Sequence, residues 1–382
     1  MALLTDEQLM IRKMVRDLAE NEFKPIAAQI DEEEVFPRRN VELMAELGLL
    51  GINIPEEYGG GGADEISHLI AIEEVARVCA SSSAILTTNA LASGPLMLAG
   101  DEAQKKNFLY RIASGECLAA FAITEPGAGS DNASMKSFAV KDGTDYIING
   151  TKTFITNAGE SGIITVVCKT DKEAGYKGFS IFEVDAGTPG LTIGKKEHKM
   201  GMHASDTREV IFEDMRVPAA NMVGAENKGF YILMETFNFT RPGVGAQALG
   251  IAQGAYETAL AYAQERVAFG KPIIKHQSVE SILADMAIQI EAARHLVYHA
   301  GTLLERDGGN ASPETIRVAA ACKVFASDVA MRVTTDAVQV LGGYGYIREY
   351  PVERMMRDAK ITQIWEGTNQ ILRGIIGKQI VK

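Results

Sequence analysis

The spacing of apolar positions divides the chain into three stretches with different periods. At the start, Leu9, Met14, Val15 and Leu18 recur near helical spacing. Thr5 and Gln8 form a capping-box pattern ahead of them, with Leu4 placed to staple against Leu9. A second helical run, VELMAELGLLG after Asn40, stops at IPEEYGGGGAD, where a proline and four glycines break the period. Gly59 to Gly62 lack both the preceding strand and the following phosphate-binding pattern of a nucleotide loop, and they read as a turn.

In the middle of the chain the pattern becomes β-prone. SFAVKDGTDYIINGTKTFIT holds Asp142-Gly143 and Asn149-Gly150, each between short β-prone runs, and both pairs predict hairpin turns. GIITVVCKT, GFSIFEVD and REVIFEDMRV continue as strands. From Gly229 the helical period returns. Val279, Ile282, Leu283, Met286, Ile290, Ala293 and Val297 make one stripe, and Ser312 with Pro313 supplies the cap and first-turn proline of the next helix. The order is α, β, α, with no βαβ alternation, which argues against a dinucleotide-binding α/β fold. The expected class is α+β: a helical domain over residues 1–116, a central antiparallel, barrel-like β domain over 117–226, and a C-terminal four-helix bundle over 227–382.

Composition narrows the function. The 382 residues are 46% hydrophobic and 23% charged, the profile of a globular chain with a large core. A net charge of -12 argues against nucleic acid and against an anionic membrane as partner. The four cysteines form no CxxC pair, which fits a reducing compartment and no zinc site. His295 and His299 stand four apart without a third ligand nearby, and His198 and His203 flank KMGM in a loop, so no metal is expected. GxSxG, P-loop and HExxH patterns are absent. No apolar run reaches the ~18 residues of a membrane span. MALLTDEQ at the start has no basic segment leading into an apolar one, so a cytoplasmic protein is expected.

Three segments carry candidate chemistry. FAITEPGAGSD, Phe121 to Asp131, joins strand-like residues to a Gly/Pro/Ser loop able to offer backbone N–H groups and a hydroxyl to a ligand. AVQVLGGYGY, Ala337 to Tyr346, puts glycines after an apolar helix, and QIWEGTNQI, Gln363 to Ile371, sets Glu366 between an aromatic residue and a glycine.

Together with KTFITN, ERVAFGKPIIKHQ and EYPVERMMRDAKI, these segments resemble the acyl-CoA dehydrogenase family, its short- and medium-chain, butyryl-CoA dehydrogenase-like members in particular. The likeness runs along the whole chain. It implies an FAD enzyme that oxidises acyl-CoA thioesters to 2-enoyl-CoAs, passes electrons to an electron-transferring flavoprotein, and assembles as a homotetramer. Glu366 matches the base that takes the α-proton while hydride leaves the β-carbon for flavin N5, and Gly367 matches a substrate contact. The resemblance puts Phe121, Ile123, Thr124, Gly129 and Ser130 along the flavin, with Ser130 also at the substrate, and Phe154, Ile155 and Thr156 on its other side. Arg266, Phe269 and Gln277 match residues that hold FAD from a neighbouring subunit. Gln339, Leu341, Gly342, Gly343, Thr368 and Gln370 match further contacts to the cofactor. Asn238 and Arg241 match positions that meet CoA.

Ala268, Trp365 and Thr240 depart from the family pattern. Thr240 stands where isovaleryl-type and long-chain members carry their base, which leaves that role to Glu366. An enoyl-CoA reductase, an enzyme for cyclic or aromatic acyl-CoAs, an acyl-CoA oxidase and a non-catalytic acyl-CoA-binding protein are the competing readings.

Overall fold

The computed structural model describes residues 4–381. The first helix, α1 (Asp6–Leu18), begins as its sequence predicts. Gln8 N–H donates to Thr5 Oγ1, and Thr5 N–H donates back to Gln8 Oε1. Its buried stripe differs from the expected one: Leu9 is 45% and Met14 36% exposed, while Ile11, Val15 and Leu18 face the core. Polar contacts set this rotation. Gln8 Nε2 donates to Asp64 Oδ2, and Arg12 and Arg16 both reach the buried Glu74.

Two buried helices follow, α2 (Glu65–Ala76) and α3 (Ala80–Ala99). They pack against α4 (Gly229–Glu265), the longest helix of the second helical part. That part continues with α5 (Gln277–Asp307), α6 (Pro313–Leu341), α7 (Val352–Ala359) and α8 (Asn369–Ile380). Leu69, Ile72, Leu249, Met286 and Val333 belong to one apolar cluster, so the two helical stretches share a core. Ser312 caps α6 with Pro313 in its first turn, as expected. No helix among the described residues is long and apolar enough to cross a membrane.

Between the helical stretches lies an eight-stranded sheet. Its strands are β1 (Leu118–Ala122), β2 (Phe138–Asp142), β3 (Asp145–Thr156), β4 (Ser161–Lys169), β5 (Phe179–Asp185), β6 (Leu191–Lys196), β7 (Thr207–Pro218) and β8 (Met222–Val223). The order β6-β7-β3-β2-β4-β5-β8 has two ends, so strand pairing does not close a barrel. Most pairs are antiparallel, but β1 runs parallel to β4, as does the brief β2–β4 contact. β1 is also held from outside the sheet, because Ala119 N–H donates to Asn89 Oδ1 of α3 at 3.0 Å.

Asp142-Gly143 makes the expected turn between β2 and β3, with Asp142 paired to Asp145 and Gly143 at φ 64°. Asn149-Gly150 does not. It lies inside β3, where the register with β7 shifts between Ile148 and Gly150. Asn149 takes up the local groups, accepting from Asp214 N–H and donating to its carboxylate. A Cβ on Gly150 would sit 2.2 Å from Ser137 Oγ, so glycine is required there by close packing rather than by a turn.

Candidate active site

Glu366 sits in the short link before α8 and has an uncommon backbone for a non-glycine residue, φ 49°, followed by Gly367 at φ 99°. A left-handed non-glycine residue costs on the order of 1–3 kcal/mol and persists only where its surroundings enforce it. The surroundings here come from three helices. Thr368 caps α8, accepting from Ile371 N–H. Lys323 of α6 donates from Nζ to the Gly367 carbonyl at 2.8 Å. Thr240 of α4, 126 residues away in sequence, donates from Oγ1 to Glu366 Oε2 at 2.7 Å. The Glu366 N–H finds no acceptor among the described residues, which leaves a donor beside the carboxylate.

The electrostatics of this corner suit a base. Glu366 keeps a little accessible surface but is densely surrounded, and that desolvation pushes its carboxyl above the ordinary range; the Thr240 hydroxyl, Arg241 and Lys323 pull the other way. Arg241 is buried, and burial brings its guanidinium down to about 10 against the opposing field of Glu366. It donates from one arm to Asn238 Oδ1 at 3.1 Å, while its Nε has no partner. Asn238 and Arg241 therefore stand together beside the carboxylate rather than on an open surface.

Thr240→Val removes a donor that favours the ionised carboxylate, so the folded-state pKa of Glu366 rises. The low-pH limb of the reaction should then move to higher pH by about one unit, given ~1.5 kcal/mol for a hydrogen bond to a charged group. The pH profile of single-turnover oxidation measures it, and an unmoved midpoint would show the contact to be energetically idle.

Phe121 and Ile123 of the FAITEPGAGSD segment are buried, and the Phe121 ring meets Phe237 of α4 edge-on at 6.1 Å. The Arg241 guanidinium lies 5.7 Å from the centre of that same Phe237 ring. This chain of contacts ties the β1 segment to the Glu366 corner. Thr153 N–H donates to Thr124 O at 2.8 Å, joining this segment to the FIT segment of β3. Below the junction Lys152, fully buried, pairs with Glu125 at 2.9 Å and donates to Ile123 O at 3.0 Å. Phe154, at φ 60° and 64% exposed, and Thr156 present themselves outward, and Gly129 and Ser130 are exposed. Ile155, expected to line the flavin with them, instead has its side chain in the sheet core at 2% exposure. The alternation of the strand leaves it only backbone groups to offer.

A cleft lies elsewhere, lined by Tyr262, Arg266, Ile273, Leu341, Gly342, Gly343 and other helical-region residues, and by none of the β-domain segment. Arg266 is the one charged residue lining it among those described, with its guanidinium over the Tyr344 ring at 5.6 Å. A Cβ on Gly342 or Gly343 would meet nothing within 4 Å, so backbone there is open to approach. An uncompensated cation facing open glycine backbone suits a pyrophosphate, and these residues fit the dinucleotide part of FAD. Nearby, Phe269 is 96% exposed at φ 50°, and Gln277 and Gln339 are also at the surface; Gln370 is exposed too, but beside Asn369 at the start of α8, which bonds the middle of α6. The expected cofactor residues thus fall into two groups within one chain.

Family models for the N-terminal, middle and C-terminal domains of acyl-CoA dehydrogenase match residues 5–116, 120–215 and 227–381. The chain belongs to the acyl-CoA dehydrogenase family. It is 47% identical over 379 residues to an acyl-CoA dehydrogenase of Bacillus subtilis, covering 99% of both chains. It is also 47% identical over 380 residues to a short-chain-specific acyl-CoA dehydrogenase of Clostridium acetobutylicum, again covering 99% of both. An acryloyl-CoA reductase (NADH) of Anaerotignum propionicum is 46% identical, covering 99% of this chain and 95% of its own. Among solved structures, butyryl-CoA dehydrogenase from Megasphaera elsdenii superposes with TM-score 0.96 at 45% identity, over 100% of this chain and 99% of that one. A chain from a study of the electron transferring flavoprotein of Acidaminococcus fermentans gives TM-score 0.97 at 46% identity, with full coverage of both. A glutaryl-CoA dehydrogenase from Mycobacterium smegmatis in complex with FADH2 gives 0.91 at 29% identity, over 99% of this chain and 95% of that one.

The family assignment read from the sequence motifs is borne out, as is the fold of helices, sheet and helices. The chain is an oxidoreductase, an acyl-CoA dehydrogenase. Sequence reasoning missed Lys323, Lys152 and Glu125 in this acyl-CoA dehydrogenase. The signal for Lys323 was a lysine within the apolar face of α6, a position that usually reads as a side chain reaching to solvent.

Proposed function

We propose that this acyl-CoA dehydrogenase oxidises a short-chain acyl-CoA to the 2-enoyl-CoA, with Glu366 as the base for the α-proton. The observation carrying this reading is the enclosed Glu366 carboxylate, oriented by Thr240 and flanked by its own unused N–H. Burial raises the proton affinity of the carboxylate, which a base for a weak carbon acid requires. The Glu366 N–H is the donor in reach of a thioester oxygen, where charge develops as the α-proton leaves. Arg241 and Lys323 add positive potential to that corner.

FAD held by these residues would supply the hydride acceptor. Phe121, Ile123, Thr124, Gly129 and Ser130 on one segment, and Phe154, Thr156 and the backbone of Ile155 on the other, are the residues we assign to its ring. Arg266, Phe269, Gln277, Gln339, Leu341, Gly342 and Gly343 are assigned to its dinucleotide part, with Thr368 and Gln370 completing the site. Asn238, Arg241, Ser130 and Gly367 are assigned to the substrate. The exposure of Phe269 supports delivery of its group to a second copy in a homotetramer. Electron-transferring flavoprotein is the acceptor we assign, supported by the family and by the structural study of a close relative.

A panel of acyl-CoAs read by bleaching of the bound flavin tests this, with butyryl-CoA expected among the best. A panel that leaves the flavin oxidised throughout would remove the reading. The 46% identity to an acryloyl-CoA reductase keeps the reverse direction as the second reading, and NADH-dependent reduction of a short 2-enoyl-CoA by purified components would select it.

Arg266→Ala deletes the single charge of the dinucleotide cleft. FAD retention on dilution should fall by about tenfold or more, at ~1.5–3 kcal/mol for a charge-assisted hydrogen bond. Gel filtration with absorbance at flavin wavelengths measures it; undiminished retention would place the diphosphate elsewhere.

A further inference from the structure

Lys323 lies on α6 with no accessible surface. Its Nζ donates to Gly367 O at 2.8 Å and to Asn369 Oδ1 at 3.1 Å, both neutral acceptors. Asn369 is itself fixed, donating from Nδ2 to Ser327 Oγ at 2.9 Å and to Asp328 Oδ1 at 2.9 Å, while Asp328 receives Arg373 at 2.6 Å. The lysine is thus seated in a framework on α6 and α8, and its remaining reach is spent on the carbonyl next to the base. A buried ammonium with neutral acceptors is expensive to hold. It stands here against a link whose backbone has positive φ at two successive residues, Glu366 and Gly367.

We propose that Lys323 is a positioning residue for the reaction: it pins the Gly367 carbonyl, which locks the turn that aims Glu366, and its charge opposes protonation of that carboxylate. The inference rests on Glu366 being the base. The charged and titratable groups facing Lys323 are Glu366 in the link before α8, Arg241 on α4, and Asp328 and Cys322 on α6. Burial brings the Lys323 ammonium down to about 7, and Glu366 opposes that fall while Arg241 adds to it. The Lys323 and Glu366 protonation states are therefore linked. Ionised Glu366 favours charged Lys323, and loss of either charge weakens the other.

The test uses Lys323→Met, which removes both charge and donor, and Lys323→Gln, which keeps a donor for Gly367 O. In FAD-loaded enzyme, the pH midpoint of single-turnover flavin reduction should rise by about one unit or more in both variants. The rate on the high-pH plateau should fall by about tenfold or more in Lys323→Met, because a displaced base loses its approach, and by less in Lys323→Gln. Infrared titration of the Glu366 carboxyl in substrate-free protein, assigned by subtraction of Glu366→Gln, should show the same upward shift without any turnover.

Unchanged midpoint and plateau in both lysine variants overturns the proposal. So does a wild-type Glu366 carboxyl still protonated at about pH 8, a measurement that stands even if neither lysine variant folds. Full flavin reduction in Glu366→Gln would instead overturn the base assignment. A dead Glu366→Gln with unaffected lysine variants overturns only the role of Lys323.

Discussion

Glu366→Gln should bind acyl-CoA and scarcely bleach the flavin. The amide keeps the size of the side chain and can still meet the Thr240 hydroxyl, but it cannot accept the α-proton. A positioned base is worth ~10²–10⁴-fold, and the single-turnover rate should drop by at least that much. Thr240 Oγ1 already lies 2.7 Å from Glu366 Oε2, so a carboxylate built at position 240 reaches the same corner from α4. Thr240→Glu in the Glu366→Gln background should therefore recover part of the lost rate. Stopped-flow flavin absorbance with saturating substrate reads both outcomes. Wild-type bleaching in the single variant would assign proton abstraction to another residue; failure of the double variant alone would say that Arg241 and Trp365 leave the new carboxylate misdirected.

The largest effect on stability is expected at Lys152. Its ammonium is the only cation paired with Glu125 among the described residues, and both side chains are buried. Burial works against the Glu125 charge, but Lys152 and the N–H groups of Lys136 and Ser137 outweigh it and hold the carboxyl below its usual range. Lys152→Met leaves that carboxylate buried without its cation, at a cost of about 3–5 kcal/mol. Because Glu125 gains when its pKa is depressed, its stabilising contribution is present above the ordinary carboxylate range and is lost as pH falls through the lowered value. Urea unfolding near neutral pH, followed by the sheet signal in circular dichroism, should show the loss. Lys152→Met with Glu125→Gln should restore much of it, since no lone charge remains and the amide oxygen can still accept from the backbone N–H groups of Lys136 and Ser137. A Lys152→Met protein as stable as wild type would mean that the backbone donors suffice.

The fold was legible where a local rule acts alone. The Thr5 cap, the Asp142-Gly143 turn, the α5 stripe and the Ser312-Pro313 start each depend on residues within a turn of one another. Failures came where distant groups override the local rule. Leu9 and Met14 face outward because Gln8, Arg12 and Arg16 have partners on α2 or beside it, so polar contacts and not the apolar count set the rotation of α1. Asn149-Gly150 has the letters of a hairpin, but Ser137 packs against it and Asp214 binds its side chain. At the site, motif letters named Glu366 and the segments around it. They did not show that Thr240 touches the carboxylate, that Ile155 turns into the sheet, or that Lys323 stands behind the turn. Those are long-range pairings, which one sequence encodes only through the completed fold.

β1 is held from three directions: β4 pairs with it, Asn89 of α3 takes its Ala119 N–H, and Phe237 of α4 receives Phe121. The loop that follows it is therefore common property of all three regions of the chain. A middle segment transplanted from a relative carries the ITEPGAGSD letters but not the helices it was matched to, so its loop must fit an Asn89 and a Phe237 supplied by the recipient. Recombination within this family is thus constrained at the seams as well as in the motifs, and the heritable unit of the site is the whole chain rather than the segment that spells it.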